Sequence, residues 1–428
     1  MSVSPFSAEV PCAGSETPFW SVANEVAAQE GTPFYVYLPH RTPIAYELFA
    51  RSLQCWGRAH VAFSVKTNPL FALLRDLKSL GAFAEVVSAW EFSHAVGAGF
   101  RPEEIVFNGP LKTESELKKI LEHAPLTLNI DSLDELDVVE KVISQAGRKA
   151  SVGIRLCPPM ENGVWSRFGL QISTGEVAEA VGRIEHNRSL TLRAIHFHLG
   201  TQVSDGTRYI EMIDIVRELW HRHHLRNDVW IDIGGGFPYD HSISLEEQPS
   251  SLSQLFAKIG EAWGPPPRPP LLVEPGRFIC APTMAVVSRV VSCKARVGEP
   301  TIIVLDSGTN HNVMAAFYEH VWSYTDVAAE TRHRFCGPLC MEDDILSGER
   351  HGPQPKVGSL VAMFNAGAYS IALSRTFIQP RPPIVVISNL GKAVMIQARE
   401  AGHNLYGFRD SLAQDSRKRP EDDIQVER

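Results

Sequence analysis

The stretch at residues 59–74, AHVAFSVKTNPLFALL, joins a short apolar run to a lysine and then to a break in the chain. The run at 61–65 has the length and composition of a strand buried on both faces. Thr67-Asn68-Pro69 then end it, because Asn and Pro favour turns. Lys66 is therefore either a surface residue that closes the strand or a nucleophile that the strand delivers to a pocket.

Seven further apolar runs follow this one along the chain. They are FAEVV (83–87), EIVFN (104–108), LTLNI (126–130), SVGIRL (151–156), LRAIHFH (192–198), VWIDI (229–233) and LLVEP (271–275). Segments between them, such as SLDELDVVEKVISQAG and RYIEMIDIVRELW, place apolar residues at helical spacing. Eight buried strands alternating with helices predict an α/β fold, a closed (β/α)₈ TIM-type barrel. An open, doubly wound sheet is the competing architecture.

The pattern changes after residue 281, where TMAVVSRVVSCKARV, TIIVLDSG, SLVAMFNAG and PIVVIS are β-rich with few helical patterns. Upstream, PFYVYL (33–38) also resembles a strand without a helix to follow it. We therefore predict four parts. They are an N-terminal tail and strand that joins the β-domain (1–39), the barrel (40–281), a C-terminal all-β domain (282–405) and a charged tail (406–428).

Composition excludes several classes of function. The chain has 428 residues and a net charge of -8 without a long basic run, which argues against a nucleic-acid partner. No apolar window approaches the roughly 20 residues that span a bilayer, and the N-terminus lacks the pattern of a signal peptide. Seven scattered cysteines suit a reducing compartment. We expect a soluble, cytoplasmic protein.

The predicted strand ends are unusually polar. The active site of a TIM barrel lies at the C-terminal ends of its strands. These ends carry Lys66, Ser88, Asn108, Asp131, Arg155, His198, Gly234-Gly235-Gly236 and Glu274. Lys66 therefore belongs to a set of chemical groups, and this favours the nucleophile over the simple strand cap.

Two motifs near the last strands suit an anionic ligand. DIGGGFP places three glycines after a strand, so backbone amides can approach an anion closely, although a tight turn alone would also use glycines. EPGRF follows one strand later and brings Glu274 and Arg277 to the same edge. The guanidinium complements a phosphate, and the carboxylate could bond to a protonated ring nitrogen.

HFHLGTQ places His196 and His198 on one side of a strand. As metal ligands they lack a third partner at a typical spacing, so we predict no metal site. A histidine packed against a planar cofactor is the better interpretation for His198, and a core histidine remains an alternative for His196. In the β-rich part, CGPLCMEDDIL (336–346) and Tyr369 in FNAGAYS have no function that composition alone distinguishes from a loop.

Together these motifs resemble one family. SVKTNP, EVVSAWE, HFHLGTQ, DIGGGFP, EPGRF, GPLCMEDD and GAY occur in the order found in the fold-type III pyridoxal 5'-phosphate (PLP) decarboxylases, which include diaminopimelate and ornithine decarboxylases. The resemblance runs from about Pro33 to Ile396. It implies a PLP-binding barrel, a β-domain and a head-to-tail homodimer whose two active sites are shared between subunits.

The resemblance also implies roles for individual residues. Lys66 would bind the cofactor as a Schiff base, which needs a neutral amine. His198 would stack on the pyridine ring, and Glu274 would keep the ring nitrogen protonated. The phosphate would be held by Gly234, Gly235, Gly236, Arg277 and Tyr369, with Thr201 where the family commonly has Ser. Cys340 of the partner subunit would deliver a proton to Cα, and Asp344 would shape the shared site.

The departures from the family concern the substrate. Met341 follows the motif cysteine where diaminopimelate and ornithine decarboxylases have an acidic residue, although a shift of one position would restore Glu342 to that role. Met314 stands where diaminopimelate decarboxylases have an arginine for the distal carboxylate. Unpaired buried charges are costly, so we predict a decarboxylase for another L-amino acid or amino-acid conjugate. The pattern resembles family members from siderophore and antibiotic pathways that decarboxylate a conjugated amino acid, and the sequence leaves open whether the substrate here is free, citryl-conjugated or carrier-bound.

Three alternatives remain open on the sequence. The first is a diaminopimelate decarboxylase of lysine biosynthesis with an unusual recognition loop. The second is an amino-acid racemase on the same barrel, against which the GPLC motif argues. The third is a catalytically dead regulatory binding protein, which would be expected to lose residues such as Lys66, Gly235, Arg277, Cys340 or Tyr369, yet all five are present.

Overall fold

The computed structural model describes residues 18–158, 166–248, 251–388 and 390–401. The helices are α1 (Pro18–Glu30), α2 (Arg41–Ser52), α3 (Phe71–Ser79), α4 (Ala89–Gly97), α5 (Glu114–Ile120), α6 (Leu133–Ala146), α7 (Glu176–His186), α8 (Thr207–Arg222), α9 (Ser251–Trp263) and α10 (Arg277–Cys280). The strands are β1 (Phe34–Tyr37), β2 (Ala59–Ser64), β3 (Phe83–Val86), β4 (Ile105–Phe107), β5 (Thr127–Ile130), β6 (Ala150–Cys157), β7 (Leu170–Gln171), β8 (Leu190–His196), β9 (Trp230–Asp232), β10 (Leu271–Val273), β11 (Met284–Lys294), β12 (Thr301–Leu305), β13 (Trp322–Tyr324), β14 (Val327–Cys336), β15 (Arg350–Pro355), β16 (Leu360–Met363), β17 (Ile384–Ile387) and β18 (Ala393–Gln397).

Eight parallel strands close into a barrel. Their order is β2, β3, β4, β5, β6, β8, β9 and β10, and β10 pairs back onto β2 with Leu271 opposite Ala59. Every apolar run predicted as a barrel strand forms one. The closed barrel confirms the predicted fold class and excludes the open sheet.

Local signals along the chain set the helices around the barrel. α6 begins where the Ser132 hydroxyl accepts a hydrogen bond from the Glu135 backbone N–H, and it ends at Gly147 in the left-handed conformation. Its buried side chains, Leu136, Val139, Val142 and Ile143, recur at helical spacing and face the barrel. α7 and α8 begin without a side-chain cap, but they also bury apolar side chains at helical spacing, so the barrel scaffold follows from the periodicity of the sequence.

The second sheet has nine strands and mixed direction. β1 lies between β11, to which it is antiparallel, and β17, to which it is parallel. This sheet confirms the predicted β-domain. Helix α1, which the sequence analysis did not predict, packs its apolar side chains onto one face of the sheet. The four boundaries given above stay predictions, and the predicted charged tail lies outside the described residues.

Two catalytic candidates lie just beyond the strands that were expected to carry them. β2 ends at Ser64, and Lys66 lies in the 3₁₀ turn Val65–Thr67. β8 ends at His196, so His198 also lies past its strand. In the described part of the chain, no helix is both long and apolar enough to cross a membrane.

Candidate active site

A cleft opens at the C-terminal ends of the barrel strands and gathers most of the predicted cofactor residues. Its lining includes Lys66, His198, Thr201, Gly235, Gly236, Glu274, Arg277 and Tyr369. Gly234 lies directly behind His198, because a Cβ at Gly234 would be 2.9 Å from His198 Nδ1. Of the polar array inferred from the strand ends, Lys66, His198, the glycines and Glu274 thus lie at one site in the folded chain, whereas Ser88, Asn108, Asp131 and Arg155 do not line it.

Hydrogen bonds from the ammonium group to two neighbouring side chains hold Lys66 in place. Its Nζ donates hydrogen bonds to Ser64 Oγ at 2.7 Å and to Glu85 Oε2 at 2.5 Å. Burial alone would lower the pKa of Lys66, but the carboxylates of Glu85 and Glu274 outweigh burial, and the pKa is raised. The pocket therefore favours the ammonium form and does not supply the expected neutral amine. Glu85 is the nearest group that can take the proton.

Glu274 is ionised in a buried setting. Its Oε1 accepts a hydrogen bond from Asn108 Nδ2 at 2.7 Å, and its Oε2 lies 3.6 Å from His196 Nε2. Burial alone would raise the pKa of Glu274, but its interactions with His196 and Lys66 outweigh burial and lower it. A permanent carboxylate at this place suits a partner that must stay protonated, such as a pyridinium nitrogen.

Asp232 lies close to Glu274, and the pKa values of the two carboxyl groups are shifted in opposite directions. Its side chain is fully buried, and its Oδ1 accepts a hydrogen bond from the Gly234 N–H at 3.0 Å. Burial and the nearby Glu274 carboxylate raise the pKa of Asp232 well above its ordinary value. The two carboxyl groups titrate as a pair, and the directions of their pKa shifts favour the proton of that pair on Asp232. Ligand atoms of His196, Asp232 and Glu274 all lie within 4.8 Å of one another, and the absence of a metal there stays a prediction.

His198 is neutral, and its tautomer is set by a backbone contact. Its Nδ1 accepts a hydrogen bond from the Gly235 N–H at 3.1 Å, so the proton lies on Nε2. Burial lowers the pKa of His198 to about 3, against the opposing charge of Glu274. A neutral, oriented imidazole at the cleft can pack against a flat ring.

The glycines form a cradle that admits no side chain. A Cβ on Gly235 would lie 2.3 Å from the Glu274 backbone oxygen, and a Cβ on Gly236 would lie 2.2 Å from the Gly200 backbone oxygen. Both contacts are closer than atoms allow, so only glycine fits. The N–H groups of Gly234 and Gly235 already donate to Asp232 and His198, so Gly236 is the glycine of this run whose N–H these partners leave for an anion.

Arg277 supplies the matching positive charge. It is 8% exposed, and its guanidinium lies over the rings of Tyr318 and Tyr369, at 4.4 and 5.3 Å from the ring centroids. Among the described residues, no carboxylate forms an ion pair with it. A buried cation without a counter-charge, beside a glycine cradle, fits the phosphate of PLP, while Lys66, His198 and Glu274 fit its aldehyde, ring face and ring nitrogen.

The predicted substrate residues lie elsewhere on the chain. The described residues that line the cleft do not include Met314, Cys340, Met341, Glu342 or Asp344. Cys340, Met341 and Glu342 are exposed on a loop that follows β14, and Met314 is half-buried in the 3₁₀ turn Val313–Ala316. The roles predicted for these side chains at the substrate therefore depend on the predicted sharing of the site between two subunits.

Asp344 holds the cysteine loop in shape. Its Oδ1 accepts hydrogen bonds from the Thr309 N–H at 2.7 Å and the Thr309 hydroxyl at 2.9 Å, and its Oδ2 accepts one from the Leu339 N–H at 2.8 Å. A Cβ on Gly337 would lie 2.1 Å from Asp344 Oδ2, so the glycine of the GPLC motif is required. The carboxylate is buried and both of its oxygens accept hydrogen bonds from the protein. Asp344 is therefore suited to supporting the loop.

Sequence reasoning placed Asn108 among the polar strand ends but missed the other residues inside the barrel that connect the site. Glu85, Asn108, Asn129 and Asp232 are all buried polar residues of the strands or strand ends. Asn108 bridges Glu85 and Glu274, at 3.1 and 2.7 Å from its Nδ2. A glutamate inside the apolar run FAEVV was the available signal, because an isolated buried carboxylate needs a partner.

Other strand-end residues support the scaffold. The Ser88 hydroxyl caps α4 by accepting a hydrogen bond from the Glu91 N–H at 3.2 Å. Arg155 forms an ion pair with Asp131 at 3.3 Å, and its guanidinium lies 4.6 Å from the Phe168 ring centroid.

Comparison with known proteins bears on this site. Residues 45–281 match the family described as pyridoxal-dependent decarboxylase, pyridoxal binding domain. The chain is 28% identical over 403 residues to the diaminopimelate decarboxylase of Zymomonas mobilis, covering 89% of this chain and 93% of that one. It is 27% identical over 401 residues to the L-glutamyl-[BtrI acyl-carrier protein] decarboxylase of Niallia circulans, covering 86% and 91%.

A solved structure agrees with the fold. The diaminopimelate decarboxylase of M. jannaschii in complex with L-lysine superposes with a TM-score of 0.80 at 25% identity, covering 90% of this chain and 93% of that one. The family match spans more than half of the chain and includes Lys66, His198, Glu274 and Arg277. The chain therefore belongs to the pyridoxal-dependent decarboxylases of fold-type III, enzymes that use PLP to decarboxylate amino acids.

Proposed function

We propose that this PLP-dependent decarboxylase removes the α-carboxylate of an L-amino acid, or of the amino-acid part of a conjugate, in specialised metabolism such as siderophore or antibiotic biosynthesis. The observation that carries the proposal is the pair Met314 and Met341. Met341 is 45% exposed beside Cys340, and Met314 is half-buried. Neither can pair with a charged group of a substrate. Both distal charges of diaminopimelate would lose a partner, at a cost of several kcal/mol for each charge that is buried.

The relative from Niallia circulans supports a conjugated substrate. Its name describes decarboxylation of a glutamyl group attached to an acyl-carrier protein. An acylated side chain has lost the distal charge that an acidic or basic recognition residue would bind. Apolar residues at both recognition positions are compatible with such a substrate.

PLP, when bound, supplies an electron sink for the bond between Cα and the departing carboxylate. Lys66 binds the cofactor, and Glu85 accepts the proton that the lysine must release. The ionised Glu274, held by Asn108, keeps the ring nitrogen protonated. His198, fixed by Gly235, covers one face of the ring and excludes water from it.

The phosphate group is held at the other end of the cleft. The backbone of Gly234, Gly235 and Gly236 would border it, Arg277 would provide charge, and Thr201 and Tyr369 would provide hydroxyl donors. Tyr369 has a left-handed backbone with φ of 63°, and its N–H donates to the Thr67 backbone oxygen at 2.8 Å. This bond fixes the tyrosine relative to the turn that carries Lys66.

Proton delivery to Cα requires a second subunit. Cys340 is exposed and absent from the cleft of its own chain. We propose a homodimer in which the loop held by Asp344 places the thiol of one subunit at the cleft of the other. After CO₂ leaves, the thiol donates its proton to Cα, and Met341 and Glu342 then border the substrate.

Diaminopimelate decarboxylation in lysine biosynthesis is the second candidate. It is favoured by the Zymomonas mobilis relative and by the superposition on an enzyme in complex with L-lysine. Glu342 and Asp343 follow Met341 directly, so a small shift of the loop would bring an acidic group to the position of Met341.

The test measures CO₂ release by the PLP-loaded enzyme from diaminopimelate, lysine, ornithine, arginine and a pantetheine thioester of L-glutamate. We expect release from the thioester and none from the free amino acids. The double variant Met314→Arg with Met341→Glu should gain activity on diaminopimelate, and Met314→Leu with Met341→Leu is its matched control. Efficient release from diaminopimelate by the unmodified enzyme would contradict the proposal and establish the second candidate.

A further inference from the structure

A cluster of rings contacts Arg277, and none of its members is among the described residues that line the cleft. It consists of His241, Tyr318 and His320, and the two histidines are 2% and 1% exposed. His241 follows β9 of the barrel, whereas Tyr318 and His320 lie between β12 and β13 of the second sheet. Arg277 is therefore supported from both parts of the fold.

Two hydrogen bonds determine the tautomer of His241. Its Nδ1 lies 2.9 Å from the Asn365 backbone oxygen, which can only accept, so Nδ1 carries the proton. Its Nε2 lies 3.1 Å from Arg277 NH1, which can only donate, so Nε2 is the acceptor. The ring is consequently neutral, with both nitrogens engaged. Asn365 also donates from its side chain to the His241 and Ile243 backbone oxygens, at 2.9 and 2.8 Å.

Ring stacking fixes the plane of His241. Its ring lies parallel to that of Tyr318, with centroids 5.0 Å apart and an interplanar angle of 14°. The Arg277 guanidinium lies over the same tyrosine. His320 contacts His241 at 5.1 Å between centroids, and its Nδ1 lies 2.9 Å from the Tyr318 backbone oxygen. These contacts hold the acceptor nitrogen of His241 in one direction, toward Arg277.

The neutrality of His241 matters for the charge of Arg277. Burial, His320 and Arg277 together lower the pKa of His241 to about 2. A carboxylate in this place would orient the guanidinium equally well but would also neutralise it and repel a phosphate. A neutral acceptor orients the guanidinium and leaves its charge for the ligand.

We propose that His241 is a positioning residue that aims Arg277 at the cofactor phosphate through a neutral acceptor. The proposal rests on the phosphate-binding role proposed for Arg277. It concerns affinity for the cofactor and is independent of which substrate the enzyme takes.

The test uses the full-length protein, stripped of cofactor with hydroxylamine and titrated with PLP or with pyridoxal, which lacks the phosphate. His241→Gln keeps an acceptor near the position of Nε2, and His241→Glu has the same shape with a negative charge. We expect His241→Gln to bind PLP nearly as tightly as the unmodified protein. His241→Glu should bind PLP at least about tenfold more weakly, about 1.4 kcal/mol. Pyridoxal should bind both variants equally.

Equal PLP affinity of the Gln and Glu variants would overturn the proposal. His241→Phe keeps the stack on Tyr318 and removes the acceptor. It provides a second test that does not depend on correct folding of the charged variant. It should weaken PLP binding and leave pyridoxal binding unchanged, and unchanged PLP binding would also refute the proposal. Arg277→Gln tests the phosphate-binding role of Arg277 separately from the positioning role of His241. If it leaves the preference for PLP over pyridoxal intact, the role of Arg277 itself is wrong.

Discussion

Replacing Asp344 by asparagine is expected to loosen the loop that carries Cys340 while leaving the cofactor site intact. The carboxylate accepts three hydrogen bonds, two from Thr309 and one from the Leu339 N–H. Asparagine keeps one oxygen and turns an NH₂ group toward at least one of these donors. The proton delivery proposed for Cys340 depends on the shape of this loop, so turnover should fall with it.

The magnitude follows from the bond that is lost. A hydrogen bond to a charged group contributes about 1.5–3 kcal/mol, and a buried donor left without a partner adds to the loss. We therefore expect the loop to lose about 2 kcal/mol or more of local stability. This corresponds to a roughly 30-fold faster hydrogen exchange of the Leu339 and Thr309 amides, if these exchange by local opening.

The assay compares Asp344→Asn with Asp343→Asn, its matched control. Asp343 is the preceding residue with the same chemistry, but it is exposed, so its replacement should change stability by less than about 0.5 kcal/mol. Amide exchange and CO₂ release are measured for both variants, and the visible absorbance of bound PLP reports the cofactor site. Equal exchange and turnover in the two variants would refute the argument that the buried carboxylate supports the cysteine loop.

Three further predictions address catalysis, assembly and pH. Lys66→Ala should abolish CO₂ release together with the visible absorbance of the lysine-bound cofactor, and retained release would remove Lys66 from the mechanism. Mixing inactive Lys66→Ala with inactive Cys340→Ala subunits should restore part of the activity if sites are shared, whereas no recovery would argue against shared sites. The folded protein keeps His198, His241 and His320 neutral, with pKa values of about 3, 2 and 4. The unfolded chain takes up these protons near pH 6.5, so stability should fall between about pH 6.5 and 4. The thermal midpoint measures this fall, which should be smaller in His320→Gln, and a flat profile would contradict it.

The barrel could be predicted because strands buried on both faces leave continuous apolar runs. The second sheet was only partly predictable. β15 has the sequence RHGPQP and β18 has AVMIQ, and the side chains of β18 are exposed. Edge strands of this kind are stabilised by pairing with a neighbour that the sequence does not reveal, so their local pattern carries little signal.

The residues proposed to hold the cofactor could be gathered at one cleft from the sequence because most of them follow barrel strands, whereas the buried polar groups that contact them could not. Glu85 and Asp232 lie within strands, and only closure of the barrel shows that both point inward toward Glu274. Asn129 provides another example. A Cβ on Gly153 would lie 1.9 Å from Asn129 Oδ1, so this glycine makes room for a network whose members are far apart in sequence.

The position of β1 has a consequence for the order in which the chain can assemble. Its neighbours β11 and β17 leave the ribosome long after it does, and every barrel strand is synthesised in between. The nascent chain must therefore keep the apolar strand FYVY without either partner while the barrel forms. A chain truncated after residue 281 would retain this strand with both edges open, which is the usual template for aggregation. Expression of the barrel alone should consequently begin after β1.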